Sequence, residues 1–287
     1  MNTLNTAPAG RLLPRPALFA LLRHAILLAL AFVMLFPFYW MIVTSFRPAQ
    51  EVFSDTFNWL PAQFTGWDNF RTALNDAPLL LYMFNGALVC LGVLVVQLAT
   101  AIPCGWALAR YRFRGERLLF GLVLLGLCIP IQVPAIPLFL GLAATDLLNT
   151  YFALMVPFFL SVFAIFLFRQ SFKIFPEDIV QAARLDGLSE KAILWTIVVP
   201  ASKPAIAAFA VFSVTSHWND LYWPLIVITN AELMTPPLGL ASFADPESGA
   251  NFGALMASAT IVTLPLMVLF LFIQRHFIQG VTNTGVK

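Results

Sequence analysis

The side chains best suited to chemistry inside the apolar parts of the chain lie close together near residue 217. His217 and Asp220 are ionisable, and Ser216 directly precedes the histidine. An ionisable pair within a membrane is the pattern of a proton relay in an ion-driven carrier, and a serine with a histidine base is the pattern of a nucleophilic enzyme. Neighbouring residues of a helix point to different faces, so we expect Ser216 and His217 to be separated. Asp220 and the flanking Asn219 and Trp223 are expected either to pack within a helix bundle or to line a pathway.

Metal and nucleotide chemistry have little support in the sequence. Cys90, Cys104 and Cys128 each fall within an apolar segment and lack the spacing of metal ligands. We therefore expect small core cysteines, no metal site and no cofactor. The chain has no Gly-x-x-x-x-Gly-Lys-Ser/Thr phosphate loop. It is not expected to be an enzyme, and any ATP that it depends on must be hydrolysed by a separate protein.

The composition predicts an all-α membrane protein. Hydrophobic residues make up 60% of the 287 residues and charged residues only 10%, with a mean hydropathy of +0.85, whereas soluble domains carry about 25% charged residues. A membrane-spanning helix needs about 20 apolar residues. Six such spans are expected, near residues 25–46, 84–108, 118–140, 151–168, 205–229 and 254–274. Pro130, Pro134 and Pro137 predict a bend within the third of them.

Basic residues predict the orientation of these spans. With a cytoplasmic N-terminus, only Arg47 and Arg71 lie outside. The other fourteen of the 16 Lys and Arg residues are then cytoplasmic: Arg11, Arg15, Arg23, Arg110, Arg112, Arg114, Arg117, Arg169, Lys173, Arg184, Lys191, Lys203, Arg275 and Lys287. Such an asymmetry is the one expected of a membrane protein, because segments rich in Lys and Arg tend to stay in the cytoplasm. It also explains the basic residues without nucleic acid as a partner.

The expected organisation follows from spans and orientation. It comprises a cytoplasmic tail (1–24), a first transmembrane helix (25–46), an external segment (47–83), a transmembrane domain (84–275) that contains a polar cytoplasmic loop (170–204), and a second cytoplasmic tail (276–287). The spans show no internal repeat. This favours half of a transport pathway over a self-contained secondary carrier, whose halves are often repeated.

The largest polar stretch predicted to face the cytoplasm runs from residue 177 to residue 204. Pro176 suits the first position of a helix, and Glu177 and Asp178 follow where the helix dipole favours negative charge. Gly187 can adopt the left-handed conformation that ends a helix. The stretch therefore begins as a short helix that stops at a glycine turn.

A second helix is expected to follow this turn. Ser189 can cap its N-terminus, and Pro200 is expected to end it. Ala182 and Ala183 keep one face of the first helix slim enough to enter a groove. We interpret the helix–turn–helix as a docking element for another protein; the alternative is an ordinary solvated connector.

This stretch resembles the "EAA" coupling loop of binding-protein-dependent ABC importer permeases. The matching positions are Gln181, Ala182, Ala183, Asp186, Gly187, Ile197, Val199 and Pro200. The chain departs from the motif at Gln181, where the family usually has glutamate. Further matches, to the carbohydrate-importing, maltose-type branch, lie at Trp106–Gly115, Leu148–Thr150, Trp218–Asp220, Trp223–Leu225, Gly280–Thr282 and Gly285–Lys287.

The resemblance implies a type I ABC importer permease, the smaller, six-span member of a pair. Its implied partners are a second permease, two ATPase subunits that each receive one coupling loop, an external solute-binding protein and the lipid bilayer. The implied ATPase-coupling residues are Glu177, Gln181, Ala182, Ala183, Arg184, Asp186 and Gly187. The tail residues Gly285, Val286 and Lys287 are implied to contact the ATPase, and Glu247, Ser248 and Gly249 to approach the binding protein.

The function expected from this resemblance is import of a carbohydrate or polyol across a bacterial inner membrane, with both termini cytoplasmic. The alternatives are a permease for a glycerol phosphate ester, an ion-driven secondary carrier and an intramembrane enzyme. The solute itself is not specified by the sequence.

Overall fold

The computed structural model describes residues 15–52, 58–64, 66–241 and 251–282. The expected contact residues Glu247, Ser248 and Gly249, and Gly285, Val286 and Lys287, lie outside the described residues. The described part of the chain is helical and contains no β-strand, as the composition predicts.

The helices are named in chain order. They are α1 (Arg15–Ser45), α2 (Ala49–Val52), α3 (Gly66–Asn75), α4 (Leu79–Arg110), α5 (Glu116–Leu127), α6 (Ala135–Ala144), α7 (Tyr151–Met155), α8 (Val162–Ile174), α9 (Glu177–Leu185), α10 (Glu190–Ala192), α11 (Val199–Ala201), α12 (Lys203–Trp218), α13 (Tyr222–Val227), α14 (Pro236–Ala241) and α15 (Phe252–Thr282). Short 3₁₀ turns cover Val156–Phe158 and Ala231–Leu233, and a π-helical stretch covers Ile193–Val198.

Three continuous helices in the described part of the chain are long and apolar enough to cross a membrane. They contain Phe19–Ser45, Leu79–Arg110 and Phe252–Phe272. Two bent helix pairs also pass this test of length and composition. Tyr151–Phe158 meets Val162–Ile174 at 44°, and Glu190–Ala201 meets Lys203–Trp218 at 76°.

Three of the expected spans are broken rather than continuous. The segment 118–140 divides into α5 and α6, and the break contains Pro130 and Pro134. The segment 151–168 bends between its 3₁₀ turn and α8. The segment 205–229 divides after Trp218. The breaks occur where proline removes a helix hydrogen bond or where a polar side chain caps a new helix.

Helices α4 and α8 form the centre of the bundle. They approach closely at Gly105, where an added Cβ would lie 3.0 Å from the backbone nitrogen of Arg169 and 3.0 Å from Cβ of Phe168. Arg169 is buried, donates from Nε to the carbonyl oxygen of Leu108 at 3.1 Å, and lies 3.5 Å above the ring of Phe120. This side chain therefore joins α4, α5 and α8, with its charge over an aromatic face.

The opposite end of α4 is joined to the segment before α14. Asn85, which is fully buried, donates to the carbonyl oxygens of Glu232 and Met234, both at 2.9 Å. Its own oxygen accepts a hydrogen bond from the Tyr151 hydroxyl at 2.6 Å. Because a buried amide is costly unless its groups are paired, these bonds fix the position of α4 relative to α7 and to residues 232–234.

Candidate functional site

The polar cytoplasmic loop forms a compact hairpin, residues 177–201, which we call the 177–201 hairpin. Its first helix, α9, carries Glu177 and Asp178 in the first turn, as expected. Pro176 is the N-cap, with φ −58° and ψ 125°, and not the first helical residue as the sequence suggested. Because its ψ is extended and not helical, Pro176 lies at the boundary of the helix, and Glu177 is the first helical residue.

A glycine turn ends α9. Gly187 has a φ of +84°. The Gly187 N–H donates to the carbonyl oxygen of Arg184 at 3.0 Å, and the Leu188 N–H donates to the carbonyl oxygen of Ala183, also at 3.0 Å. This pair of bonds is the Schellman arrangement, which satisfies helix-end carbonyls and favours glycine at the left-handed position. The conformation expected for Gly187 is therefore present.

The second half of the hairpin is one helical segment with a wider middle turn. Ser189 accepts a hydrogen bond from the backbone N–H of Ala192 at 3.3 Å, so it caps α10 as expected. The π-helical stretch follows, and α11 ends one residue after Pro200. The chain then turns by 76° into α12.

The two alanines of α9 face in different directions. Ala183 is only 5% exposed and belongs to the same buried cluster as Val180 and Ile193, whereas Ala182 is exposed. The expectation that both alanines form one slim outer face is therefore wrong. The hairpin folds back on itself, and this long-range packing covers Ala183.

A network of charges fixes α9 against the end of α4. Glu177 forms an ion pair with Arg110 of α4, and lies 3.6 Å from Nη1 of Arg184. Gln181 donates from Nε2 to Oε1 of the same glutamate at 2.7 Å. The side chain of Gln181 is thus engaged within the chain, and its carbonyl oxygen is the group left to accept a bond from another protein.

A second carboxylate joins the two helices of the hairpin. Glu190 accepts a hydrogen bond from Nε of Arg184 at 2.6 Å and another from the Tyr111 hydroxyl at 2.9 Å. The bond from Arg184 holds the pKa of the Glu190 carboxyl below its ordinary value, and the same bond raises the pKa of the Arg184 guanidinium. Together with the Glu177 contacts, this makes the hairpin and the end of α4 one connected unit.

The tip of the hairpin presents apolar side chains to the outside. Leu185 is 90% exposed, and Ile179 and Leu188 are also exposed. Ala182 and Asp186 lie beside them and are exposed. An apolar patch with a polar rim on a rigid element has the character of an interaction surface.

Two of the three pathway candidates near residue 220, Asp220 and Trp223, make hydrogen bonds that hold α13 in place. Oδ1 of Asp220 accepts a hydrogen bond from the backbone N–H of Trp223 at 3.3 Å, at the start of α13. Trp223 is fully buried and donates from Nε1 to the carbonyl oxygen of Ala153 at 2.8 Å. Asn219 is exposed and donates to the carbonyl oxygen of Thr215 at 2.8 Å. Of the three, only Asn219 presents its side chain to the outside.

A separate polar cluster lies at the bend between α7 and α8. Gln97 of α4 donates to the carbonyl oxygen of Phe158 at 2.9 Å and accepts a hydrogen bond from the Ser213 hydroxyl at 2.7 Å. Its Nε2 lies 3.4 Å from Nε2 of His217. These residues line a cavity of about 400 Å³, and Ser216 lines it too. Ser216 and His217, expected to face different sides, therefore border the same space.

The sequence reasoning missed Gln97, Ser213 and the hairpin partners Arg110 and Glu190. A signal existed for Gln97, because a long polar side chain in the middle of an apolar helix needs a buried partner. In the sequence, Arg110 was only one of the cytoplasmic basic residues, and Glu190 was a residue of the polar loop without an assigned role. Their contacts with Glu177 and with Tyr111 join residues 67 and 79 positions apart in the chain, which no local pattern specifies.

Comparison with known proteins places this arrangement in context. Residues 101–283 match the family described as binding-protein-dependent transport system inner membrane component. The chain is 36% identical over 261 residues to the arabinooligosaccharides transport system permease protein AraQ of Halalkalibacterium halodurans. This alignment covers 90% of this chain and 93% of AraQ. The chain is 30% identical over 268 residues to the sn-glycerol-3-phosphate transport system permease protein UgpE of Pectobacterium atrosepticum, covering 91% and 95%.

The fold has a counterpart among solved structures. A chain of a bacterial ABC transporter involved in the import of the acidic polysaccharide alginate superposes with a TM-score of 0.80 and 22% sequence identity. The match covers 93% of this chain and 100% of the other. The all-α architecture of an ABC importer permease is thereby confirmed, and so is the resemblance noted in the sequence. The chain belongs to the family of binding-protein-dependent transport system inner membrane components.

Proposed function

We propose that this chain is one of two permease subunits that enclose the membrane pathway of an ATP-driven importer for a carbohydrate or polyol. A second permease completes the pathway, two separate ATPase subunits supply the energy, and an external binding protein delivers the solute. Both termini lie in the cytoplasm of a bacterium, and the protein spans its inner membrane.

The observation that carries the energy coupling is the 177–201 hairpin. An ion pair from Glu177 to Arg110 and a hydrogen bond from the Tyr111 hydroxyl to Glu190 bind the hairpin to the end of α4, and α4 packs along α8 in the centre of the bundle. A force applied at the exposed tip, around Leu185, is transmitted to α4 because the connection consists of several short contacts and not of a flexible loop. The ATPase-coupling role of Glu177, Gln181, Ala182, Ala183, Arg184, Asp186 and Gly187 is part of this proposal.

The exposure of these residues supports a division of roles among them. Ala182, Leu185 and Asp186 are exposed at the tip. Glu177 and Arg184 pair with each other within the hairpin. Glu177 also pairs with Arg110 of α4, and Arg184 also pairs with Glu190. Ala183 and Gly187 shape it, one by packing and the other by its turn.

A carbohydrate is favoured over a phosphate ester by the cavity beside Gln97. Within the described part of the chain, its lining residues include amide, hydroxyl and imidazole groups but no Lys, Arg, Asp or Glu. Phosphate sites in proteins depend on cationic side chains or on clustered backbone N–H groups. The relative named for glycerol-3-phosphate transport keeps that solute as the second candidate.

Reconstitution tests this proposal. The chain is assembled in liposomes with a second permease, an ATPase and a solute-binding protein from the same organism, and uptake of radiolabelled arabinotriose, lactose and glycerol 3-phosphate is measured. We expect ATP-dependent uptake of a neutral saccharide that disappears when any one component is omitted. The purified chain alone should hydrolyse no ATP. Uptake without the ATPase, or preferential uptake of glycerol 3-phosphate, contradicts the proposal.

A further inference from the structure

The polar cluster at the bend between α7 and α8 has an orientation that can be read from its hydrogen bonds. The carbonyl oxygen of Phe158 can only accept, so the Gln97 atom 2.9 Å from it must be the NH₂ group. The Gln97 oxygen then faces the Ser213 hydroxyl, which donates to it at 2.7 Å. The Phe158 carbonyl and the Ser213 hydroxyl therefore require the same orientation of the Gln97 amide.

This orientation decides the tautomer of His217. Its Nε2 lies 3.4 Å from the Gln97 nitrogen, which can act only as a hydrogen-bond donor. Nε2 must therefore be the acceptor, and in the neutral ring the proton resides on Nδ1. Among the described residues, none forms a hydrogen bond with Nδ1. The imidazole thus presents a defined N–H donor that the protein itself does not use.

The surroundings of this donor suit a small polar molecule. The cavity of about 400 Å³ is within the range of small-molecule pockets. The exposed Ser216 adds a hydroxyl that can donate or accept. Phe158, whose ring centroid is 4.6 Å from that of His217, and Phe212 add aromatic surface. The combination of neutral donors and acceptors with aromatic faces matches a molecule that has hydroxyl groups on an apolar carbon frame.

The cluster lies deep within the proposed membrane pathway and not at either of its openings. Gln97 lies near the middle of α4 (Leu79–Arg110), and Phe158 lies at the bend that divides the segment from residue 151 to residue 174. Binding sites of transporters tend to lie near the membrane midplane at broken helices, where free backbone groups and cavities occur together.

We propose that His217 and Ser216 form a contact site in this subunit for the hydroxyl groups of the transported neutral saccharide or polyol, with Gln97 as the positioning residue that holds His217 in its Nδ1–H form. The inference rests on the proposed function and adds that this chain, and not only its partner permease or the binding protein, touches the solute. The Nδ1–H group donates to a solute oxygen, Ser216 exchanges a second hydrogen bond, and the rings of Phe158 and Phe212 pack against the carbon frame.

The test is the number of solute molecules imported per ATP hydrolysed by the reconstituted importer, using whichever neutral probe, arabinotriose or lactose, the wild type imports. His217→Gln retains an acceptor where Nε2 was but removes the Nδ1 donor, whereas His217→Asn retains a donor near the position of Nδ1. We expect His217→Gln and Ser216→Ala each to lower this ratio roughly fivefold, the effect of one ordinary hydrogen bond. His217→Asn should retain more of it than His217→Gln.

A matched control separates a solute contact from general damage to a helix. Thr260→Ala removes a hydroxyl that, among the described residues, bonds within α15 to the carbonyl oxygen of Met256 at 2.7 Å, and it should leave the ratio unchanged. The amount of assembled importer is measured first. If His217→Gln fails to assemble, Ser216→Ala decides the matter, because Ser216 is exposed and its hydroxyl is not needed for packing.

The outcomes distinguish this inference from the function on which it rests. A wild-type importer that takes up neither saccharide contradicts the proposed function. A wild type that imports a saccharide while assembled His217→Gln and Ser216→Ala keep the same number of molecules per ATP overturns the contact site alone. Equal losses in His217→Gln and His217→Asn with no loss in Ser216→Ala also overturn it, since that pattern indicates a packing role.

Discussion

At the scale of single residues, two carboxylates hold the 177–201 hairpin in one shape. Glu177 pairs with Arg110 and with Arg184, and Glu190 pairs with Arg184 and accepts a bond from Tyr111. Each pair is partly exposed, so its separate contribution to stability is small because solvent screens it. Several charges that share Arg184 fix a geometry more firmly than one isolated pair does.

Acid should loosen this network. Because the pKa of Glu190 is lowered in the folded chain, its contribution to stability is present above the ordinary glutamate value of about 4.3 and is lost as pH falls through the lower folded value. We expect the carboxyl resonance of Glu190 in ¹³C-labelled protein to titrate below that ordinary value, and Arg184→Gln to move its midpoint upward. Lys191→Gln, a neighbouring loss of charge, is the control. An unchanged midpoint in Arg184→Gln refutes the assigned pair.

The turn at Gly187 gives a second test at this scale. An added Cβ would meet no atom within 4 Å, but the φ of +84° is unfavourable for other residues. Gly187→Val should therefore destabilise the hairpin by about 1–3 kcal/mol through backbone strain alone, with weaker ATPase binding but normal membrane insertion. Gly187→Asn, which tolerates the left-handed region, should be milder. Measured ATPase affinity that is the same for both variants and the wild type would show that the turn does not matter for docking.

At the scale of elements, the bundle depends on close helix contacts that only glycine permits. The crossing of α4 and α8 at Gly105 is such a contact, because the neighbouring atoms belong to the backbone and Cβ of α8. An added methyl group there cannot be accommodated by moving a flexible side chain. The two helices would have to separate.

Gly105→Ala should thus destabilise the protein by about 1–3 kcal/mol, the usual cost of overpacking. Gly121→Ala in α5 is the matched control, since an added Cβ there meets no atom within 4 Å, and it should be neutral or slightly stabilising. Thermal unfolding in detergent, followed by the loss of monodisperse protein, measures both. An unfolding midpoint for Gly105→Ala equal to that of Gly121→Ala would mean that the helices are not held this closely.

Local signals in the sequence were sufficient for the turn chemistry of the hairpin. Gly187 and Ser189 have the expected roles because the glycine conformation and the serine cap depend on neighbours within a few residues. The burial of Ala183 and the partners of Glu177 were not predictable in this way, since they depend on how the second helix folds back and on the end of α4. The breaks in three spans were only partly predictable. A proline shows where a helix can break, but membrane helices also accommodate proline without breaking.

At the scale of the whole molecule, the proposed function places different partners at the two faces of the membrane. Under the proposed function, the 177–201 hairpin lies on the cytoplasmic side, where the ATPase binds it, and the segment 47–83 lies on the external side. The family of inner membrane components to which the chain belongs supports a membrane location. The orientation rests on the asymmetry of fourteen basic residues against two.

Reporter fusions test that orientation. Fusions after residues 115, 190 and 287 should report the cytoplasm, and fusions after residues 65, 147 and 245 should report the outside, because basic flanks remain in the cytoplasm. Alkaline phosphatase and a green fluorescent reporter, which are active on opposite sides, give complementary readings at each position. An external location for residue 190 would remove the hairpin from the reach of any cytoplasmic ATPase.

The most direct test of the central claim, that the tip of the hairpin docks a separate ATPase, is co-purification of the ATPase with Leu185→Glu. Leu185 is 90% exposed, so the substitution leaves the fold intact and places a charge in the proposed contact. Leu60→Glu, at a leucine that is 68% exposed on the expected external side, is the matched control. We predict that Leu185→Glu inserts normally and retains the second permease but loses the ATPase at least tenfold, about 1.4 kcal/mol, while Leu60→Glu keeps it. Wild-type recovery of the ATPase with Leu185→Glu would contradict the account.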